Sequence, residues 1–351
     1  MTARTDDLRV LRVRPLISPA VLAEELPASE AVQDFLAASR KRVESALFGP
    51  DDRLVVVVGP CSVHDPDAAV EYARQLAPVA ARLAPDLVVV MRVYFEKPRT
   101  VVGWKGLIND PDLDASFHIN KGLRLARRVL LDVARAGVPA GTEFLDTTFG
   151  QFYADLVSWG AIGARTAESQ VHRELASGLS MPVGVKNRTD GDLQVACDAI
   201  LAASHRHLFP TLTKEGAPAI YETGGNPSCH LVLRGGSASG PNHGAAHVAR
   251  ARALLARAGR PEVVMIDCSH GNSDKDPMRQ PDVAEDVARQ VERGEHAIRG
   301  LMIESHLVGG RQDLGGTLVF GQSVTDACLA LSDTVPVLER LAEAARRRRG
   351  G

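Results

Sequence analysis

A thiol, an imidazole and two carboxylates stand in this sequence where a metal ion would use them. Cys61 follows the valine run Leu54–Val58, in Gly59-Pro60-Cys61-Ser62. His270 follows the strand-like run Val263–Asp267, and Glu304 closes Leu301–Glu304. Asp326, in Ser323-Val324-Thr325-Asp326-Ala327, reads as the start of the last helix. Closing a parallel barrel places its last strand between the seventh and the first, so ligands at those strand ends share one mouth. Taken singly, Cys61 is as readily a buried apolar cysteine and His270 a loop residue. Together they make a mixed S, N and O site for one divalent ion, a donor set that admits Mn, Fe, Co or Zn.

A second constellation is cationic. Arg92, Lys97 and Arg99 belong to the second strand and the segment after it, while Arg165, Lys186 and Arg234 each end a later strand-like run. A charged side chain at a buried strand end is costly without a partner. Any one of the six can be an internal ion pair, with Glu143 or Glu96 for example. Six at one mouth imply an anionic ligand carrying phosphate and carboxylate groups.

The elements that must carry these residues alternate. Strand-like runs occupy Leu54–Val58, Leu87–Tyr94, Ala140–Phe144, Ala161–Arg165, Pro182–Lys186, His207–Thr213, His230–Arg234, Val263–Asp267 and Leu301–Glu304, with helical spacing between most of them. Near-continuous apolar strands separated by helices are the signature of a parallel sheet covered by helices. The expected fold is therefore α/β, a (β/α)8 TIM barrel, with a doubly wound open sheet as runner-up. The run at His207 is followed by Lys214-Glu215-Gly216-Ala217-Pro218 and a short return, so residues 207–222 read as an inserted β-hairpin outside the barrel. Residues 1–50 form an N-terminal extension, and 51–351 the barrel. Asp65 is the expected N-cap of the first barrel helix, with Pro66 behind it; Gly137 and Gly294 read as helix stops.

Bulk properties bound the rest. The chain has 351 residues, 45% hydrophobic and 24% charged, with a net charge of −2. Such a balance is ordinary for a soluble protein and argues against nucleic acid as partner. No apolar run approaches the roughly 20 residues of a membrane helix, and the N-terminus has no signal-peptide core. Five scattered cysteines without a CxxC pair suit a reducing cytoplasm and argue against a structural zinc module. Cys268 is taken as packing. The Arg346–Arg349 run reads as a solvated tail.

At this point a resemblance enters. Gly59-Pro60-Cys61-Ser62, Arg92–Thr100 with Gly103-Trp104-Lys105-Gly106, Gly163-Ala164-Arg165-Thr166, Ser169–Glu174, Pro182–Asn187, Leu233–Gly236, Asp267–His270 and Glu304-Ser305-His306 closely resemble the type I, phenylalanine- or tyrosine-sensitive class of 3-deoxy-D-arabino-heptulosonate 7-phosphate (DAHP) synthases. The likeness spans nearly the whole chain. It implies a (β/α)8 barrel with an N-terminal arm for regulation or assembly and a small extra sheet. It implies condensation of phosphoenolpyruvate with erythrose 4-phosphate, at the head of aromatic biosynthesis. It puts metal ligands on Cys61, His270, Glu304 and Asp326. Phosphoenolpyruvate contacts fall on Arg92, Ala164, Arg165, Lys186 and Arg234, with Lys97 and Glu143 nearby, and erythrose 4-phosphate contacts on Lys97, Pro98, Arg99 and Thr100. In the implied chemistry a metal activates the aldehyde, Lys97 donates a proton or acts only electrostatically, and Glu143 positions water.

The resemblance also implies an aromatic amino acid inhibitor, at Asp6, Asp7, Asp146, Gln151, Leu175, Leu179, Ser180 and Phe209. Thr147, Phe149 and Gly150 depart from the pattern there, and packing of the hairpin explains Ser180 and Phe209 equally well. Relatives form homodimers or homotetramers. Two enzymatic rivals stand: 3-deoxy-D-manno-octulosonate 8-phosphate synthase, which takes arabinose 5-phosphate and against which Lys97–Thr100 argues, and a secondary-metabolism DAHP or aminoDAHP synthase. A catalytically dead scaffold would need a broken site, and every expected ligand is present.

Overall fold

Two helices precede the first strand, α1 (Pro19–Glu25) and α2 (Glu30–Phe48). The structure, a computed structural model, describes residues 5–99 and 101–350. Each of these helices starts at a serine, Ser18 or Ser29, whose hydroxyl accepts from the N–H three residues on, satisfying one of the free donors of a helix start. Then follow β1 (Leu54–Gly59), α3 (Pro66–Leu83), β2 (Leu87–Arg92), α4 (Ile119–Arg135), β3 (Ala140–Glu143), α5 (Gly150–Tyr153), β4 (Trp159–Ile162), α6 (Gln170–Gly178), β5 (Val183–Lys186) and α7 (Gln194–Ala203). A hairpin, β6 (His207–Leu212) and β7 (Pro218–Thr223), precedes β8 (Cys229–Leu233), α8 (Ala245–Arg257), β9 (Val264–Asp267), α9 (Gln280–Glu292) and β10 (Ile298–His306). Short strands β11 (Val308–Arg311), β12 (Gln322–Ser323) and β13 (Leu329–Ala330) lead into α10 (Leu331–Gly350).

Eight parallel strands in the order β1-β2-β3-β4-β5-β8-β9-β10 form the barrel. It closes where β10 pairs with β1, from Val55–Gly300 to Gly59–Glu304. The open-sheet alternative is thereby excluded. The antiparallel β6–β7 pair stands outside, in register from His207–Thr223 to Leu212–Pro218. Asp65 caps α3 as expected, its carboxylate accepting from Asp67 N–H at 2.9 Å and Ala68 N–H at 3.2 Å. The helix continues through Pro78. Gly137 follows α4 at φ +84°, a left-handed stop that glycine adopts freely.

Alternation along the strands sorts two cores. Val55, Val57, Val88, Val90, Trp159, Ala161, Val232, Met265 and Met302 pack in the lumen, closed from below by Val43, Ala46 and Leu47 of α2. Val56, Val58, Val89, Met91, Val183, Val185, Leu231, Ile266, Leu301 and Ile303 face outward under the helices, and Cys268 joins them as a packing residue.

Three expectations need correction. The fourth strand ends at Ile162 and β8 at Leu233, so Arg165 and Arg234 sit in the turns beyond them. Asp326 is not at a helix start: α10 begins at Leu331, because the chain first lays Leu329–Ala330 beside the end of β10. The Arg346–Arg349 run is no solvated tail. Asp86 accepts from both Arg346 and Arg349, and Arg348 is 7% exposed, because α10 runs back down the barrel to the loop preceding β2.

Candidate active site

Side chains on a strand point to one face at every second residue, so parity decides what stands above the lumen valines. Val88 and Val90 are followed by Arg92, Val232 by Arg234, Met265 by Asp267, and Met302 by Glu304. A Cβ on Gly184 would strike Trp159 and Val232 in the lumen, and Lys186 is two residues on. Gly141 likewise abuts Trp159 and Val90, which aims Glu143 inward. One apolar layer of strand residues thus gives way to a layer of charge.

Cys61, Glu304 and Asp326 bring a sulfur and two carboxylate oxygens within 4.8 Å of one another. Cys61 Sγ is 3.6 Å from Asp326 Oδ2. His270 joins through Nε2, 4.0 Å from Glu304 Oε1. Its other nitrogen, Nδ1, is engaged by Ser269 Oγ at 2.6 Å and Asp267 Oδ2 at 3.0 Å, an arrangement that orients a histidine ligand. His270 itself has φ +54°, an unusual conformation for a side-chain-bearing residue. Ser62 and Thr325, the neighbours of Cys61 and Asp326, share a buried 2.7 Å hydrogen bond that ties the two loops.

The electrostatics ask for a cation. Burial, and then the Glu304 carboxylate, push the Cys61 thiol up to about 11. Burial opposes the charge of Asp326, yet Lys97, His270 and Lys275 hold it down to about 2. Lys97 Nζ donates to Cys61 Sγ at 2.9 Å and stands 3.6 Å from Asp326 Oδ2. Burial disfavours its ammonium, but Cys61, Glu304 and Asp326 keep it charged. Clustered thiol, imidazole and carboxylates fit a divalent ion of the borderline type.

Beside the cluster a cavity of about 150 Å³ is lined by Lys97, Pro98, Arg99, Glu143, Ala164, Arg165, Lys186 and Arg234, and reaches His270 and Asp326. Two of its buried polar atoms, Arg234 Nε and Glu143 Oε1, have no hydrogen-bond partner among the described residues. Lys186 is paired with Asp267 at 2.8 Å; burial opposes the Asp267 charge, but Lys186 and His270 hold its carboxyl well below the usual range. Arg92 lies deeper, 1% exposed, over the Tyr94 ring at 3.9 Å and 3.1 Å from Glu304 Oε1. It braces Glu304 and is not among the cavity's lining residues. With Lys97 against Asp326, three of the six expected anion-binding cations are thus internally paired. Arg99 donates to the Trp104 carbonyl at 2.8 Å. Thr100 lies outside the described residues. Glu96 turns away from all of them and accepts from Asp146 N–H at 3.3 Å.

A separate cavity, about 360 Å³, is lined by Gln151, Leu175, Leu179, Ser180 and Phe209, together with Arg40, Lys214 and Tyr221. Asp6 and Asp7 are not among its lining residues. They lie on the N-terminal segment, where Asp7 N–H donates to Asp6 Oδ1 at 2.9 Å.

Sequence reasoning missed Asp267, which bridges Lys186 and His270, and Gln280, which contacts the backbone of Glu304. Asp267 was legible by parity, two residues beyond Met265. Nothing in the sequence around Gln280 marks it.

A closed parallel barrel thus sets a thiol–imidazole–carboxylate cluster, fit for a divalent ion, beside a cationic cradle fit for an anion. The chain belongs to the DAHP synthetase I family, whose model matches residues 31–339. It is 54% identical, over all of both chains, to the Phe-sensitive phospho-2-dehydro-3-deoxyheptonate aldolase of Escherichia coli (strain K12). It is 52% identical to the tyrosine-inhibited enzyme of Schizosaccharomyces pombe (strain 972 / ATCC 24843), over 98% of this chain and 94% of that one. A solved phospho-2-dehydro-3-deoxyheptonate aldolase from Francisella tularensis SCHU S4 superposes with a TM-score of 0.95 at 51% identity, covering 97% of this chain and 100% of that one. Phospho-2-dehydro-3-deoxyheptonate aldolase and DAHP synthase are two names for one enzyme. Among the described residues no helix is long and apolar enough to cross a membrane.

Proposed function

We propose that the barrel mouth condenses phosphoenolpyruvate with erythrose 4-phosphate and water, giving DAHP and inorganic phosphate. The observation that carries this reading is one cavity in which unpartnered Arg234 Nε and Glu143 Oε1 face the same space as Lys186, Arg165 and Lys97, against the Cys61–Glu304–Asp326 cluster. Arg165, Lys186 and Arg234 hold the phosphate and carboxylate of phosphoenolpyruvate, while Lys97, Pro98, Arg99 and Thr100 receive erythrose 4-phosphate. Ala164 presents backbone to the first substrate. Held so, C3 of phosphoenolpyruvate bonds to the aldehyde carbon, water adds at C2, and the C2–O bond to phosphate breaks. A divalent ion, one of Mn, Fe, Co or Zn, held by Cys61, His270, Glu304 and Asp326, supplies Lewis-acid polarisation of the aldehyde when bound. Lys97, with its ammonium at the cluster, donates the proton to the new alkoxide. Glu143 orients the water.

The 360 Å³ cavity is the seat of feedback by an aromatic amino acid. Relatives named Phe-sensitive, tyrosine-inhibited and Trp-sensitive support that assignment, and the apolar Leu175, Leu179 and Phe209 suit a ring. Asp6 and Asp7, on the N-terminal arm of residues 1–50, belong to the same device in a homodimer or homotetramer; the exposed Leu8, Val10, Leu11 and Val13 support burial of that arm against a second copy. Five free buried thiols support a cytoplasmic setting.

Phosphoenolpyruvate loss, followed with erythrose 4-phosphate or arabinose 5-phosphate as the second substrate, tests the reading. Turnover with the four-carbon sugar alone is expected, and Arg234→Met should raise KM for phosphoenolpyruvate by at least about tenfold. Turnover with the pentose instead would sink it.

A further inference from the structure

Gln280, the first residue of α9, is 1% exposed. Its carboxamide spans a single residue of β10. Nε2 donates to the Glu304 carbonyl at 2.9 Å, and Oε1 accepts from the Glu304 N–H at 2.8 Å. The barrel explains the need. β9 pairs with β10 only as far as Asp267–Met302, and Cys268 N–H donates to the Met302 carbonyl at 2.8 Å. Beyond that the chain leaves the sheet, through Ser269 into the left-handed His270. In a parallel ladder a residue offers both backbone groups to one side, and the residue two on offers its pair to the same side. The N–H and C=O of Glu304 therefore face the place where β9 has ended, and Glu304 is 2% exposed. Left without partners there, each group would lose its hydration for nothing. The Gln280 amide stands in for the missing strand.

What hangs from that residue is the carboxylate that meets Cys61, Asp326, His270 and Arg92. We propose that Gln280 is a positioning residue: it holds the backbone of Glu304 and so sets where the carboxylate stands among the other three donors. The inference rests on reading that cluster as a divalent-metal site. Ligand geometry governs affinity for such an ion, and outer partners of ligands typically change it ~10–100-fold.

The test titrates Co²⁺ into the metal-stripped full chain without oxygen, reading the Cys61 thiolate-to-cobalt charge-transfer band and, by dialysis, the Kd. Gln280→Leu keeps the volume and removes both hydrogen bonds. Gln280→Glu keeps the acceptor for the Glu304 N–H and serves if the leucine variant does not fold. Expected are a Kd raised ~10–100-fold for Gln280→Leu with an altered band, and a smaller rise for Gln280→Glu. A variant that loses thermal stability yet binds Co²⁺ with the wild-type Kd and band would overturn the positioning role and leave the metal reading intact. A wild-type chain that binds Co²⁺ without any charge-transfer band would overturn both.

Discussion

Asp267 ties two functions to one carboxylate. Its Oδ2 meets Lys186 Nζ at 2.8 Å and His270 Nδ1 at 3.0 Å, and it is wholly buried. Asp267→Asn strands a buried ammonium, and removing one partner of such a pair costs about 3–5 kcal/mol. Urea unfolding should show that loss, and Asp267→Leu combined with Lys186→Met should show less of it. Glu96 makes a second prediction. Burial, and then the Asp146 charge, push its carboxyl up to about 8, against about 4.3 in an unfolded chain. Between those values the folded chain holds a proton that the unfolded chain has lost. Stability from this group is therefore undiminished below about pH 4 and falls as pH rises toward 8. Glu96→Gln should flatten that slope, gaining on the order of a few kcal/mol over the native chain near pH 9 relative to pH 5. Parallel stability–pH curves for the two proteins would refute the assignment.

Elements deliver these residues by their ends. β10 is the longest barrel strand, Ile298–His306, and outlasts β9 beside it; the mismatch exposes Glu304 to Gln280. α3 is set by its start: Asp65 closes the turn after Cys61 and caps the helix through two backbone N–H groups. Asp65→Ala should cost about 1 kcal/mol in denaturant unfolding. A change within error would mean that Pro66 and the packing of Tyr72 and Leu76 hold the helix start alone. Gly163 shows how close the strand-end packing is, since a Cβ there would stand 2.1 Å from Glu143 Oε1.

At the scale of the molecule, the two barrel ends are separate tasks. The mouth gathers the charged layer, while the base is shut by α2 and locked by the chain's last turn. There Arg348 donates to the Asp52 carbonyl at 2.6 Å and the Ile298 carbonyl at 3.2 Å, joining α10 to the approaches of β1 and β10. Arg348→Met should lower stability by about 1–3 kcal/mol, seen as a lower Tm, with kcat unchanged because the mouth is at the other end. A fall in kcat at full stability would contradict that division of labour.

The barrel itself was legible because its strands are unbroken apolar runs, such as Leu54–Val58, which only a sheet covered on both faces can bury, and because capping and stop signals such as Asp65 and Gly137 are local chemistry. Cys61, His270 and Glu304 were legible for the same reason: strand order in a closed barrel makes neighbours of the chain's two ends. What the sequence could not carry was pairing across loops. That Lys186 and Arg92 spend their charge on Asp267 and Glu304, that Asp326 hangs from a bend tied to Ser62, that Arg346, Arg348 and Arg349 bolt the base, and that Gln280 replaces a strand all depend on pairs of residues 24 to 296 positions apart and on which backbone groups a neighbouring strand leaves open. Local propensity decides strands and helices; only the closed barrel decides which charges meet and which amide is left without a partner.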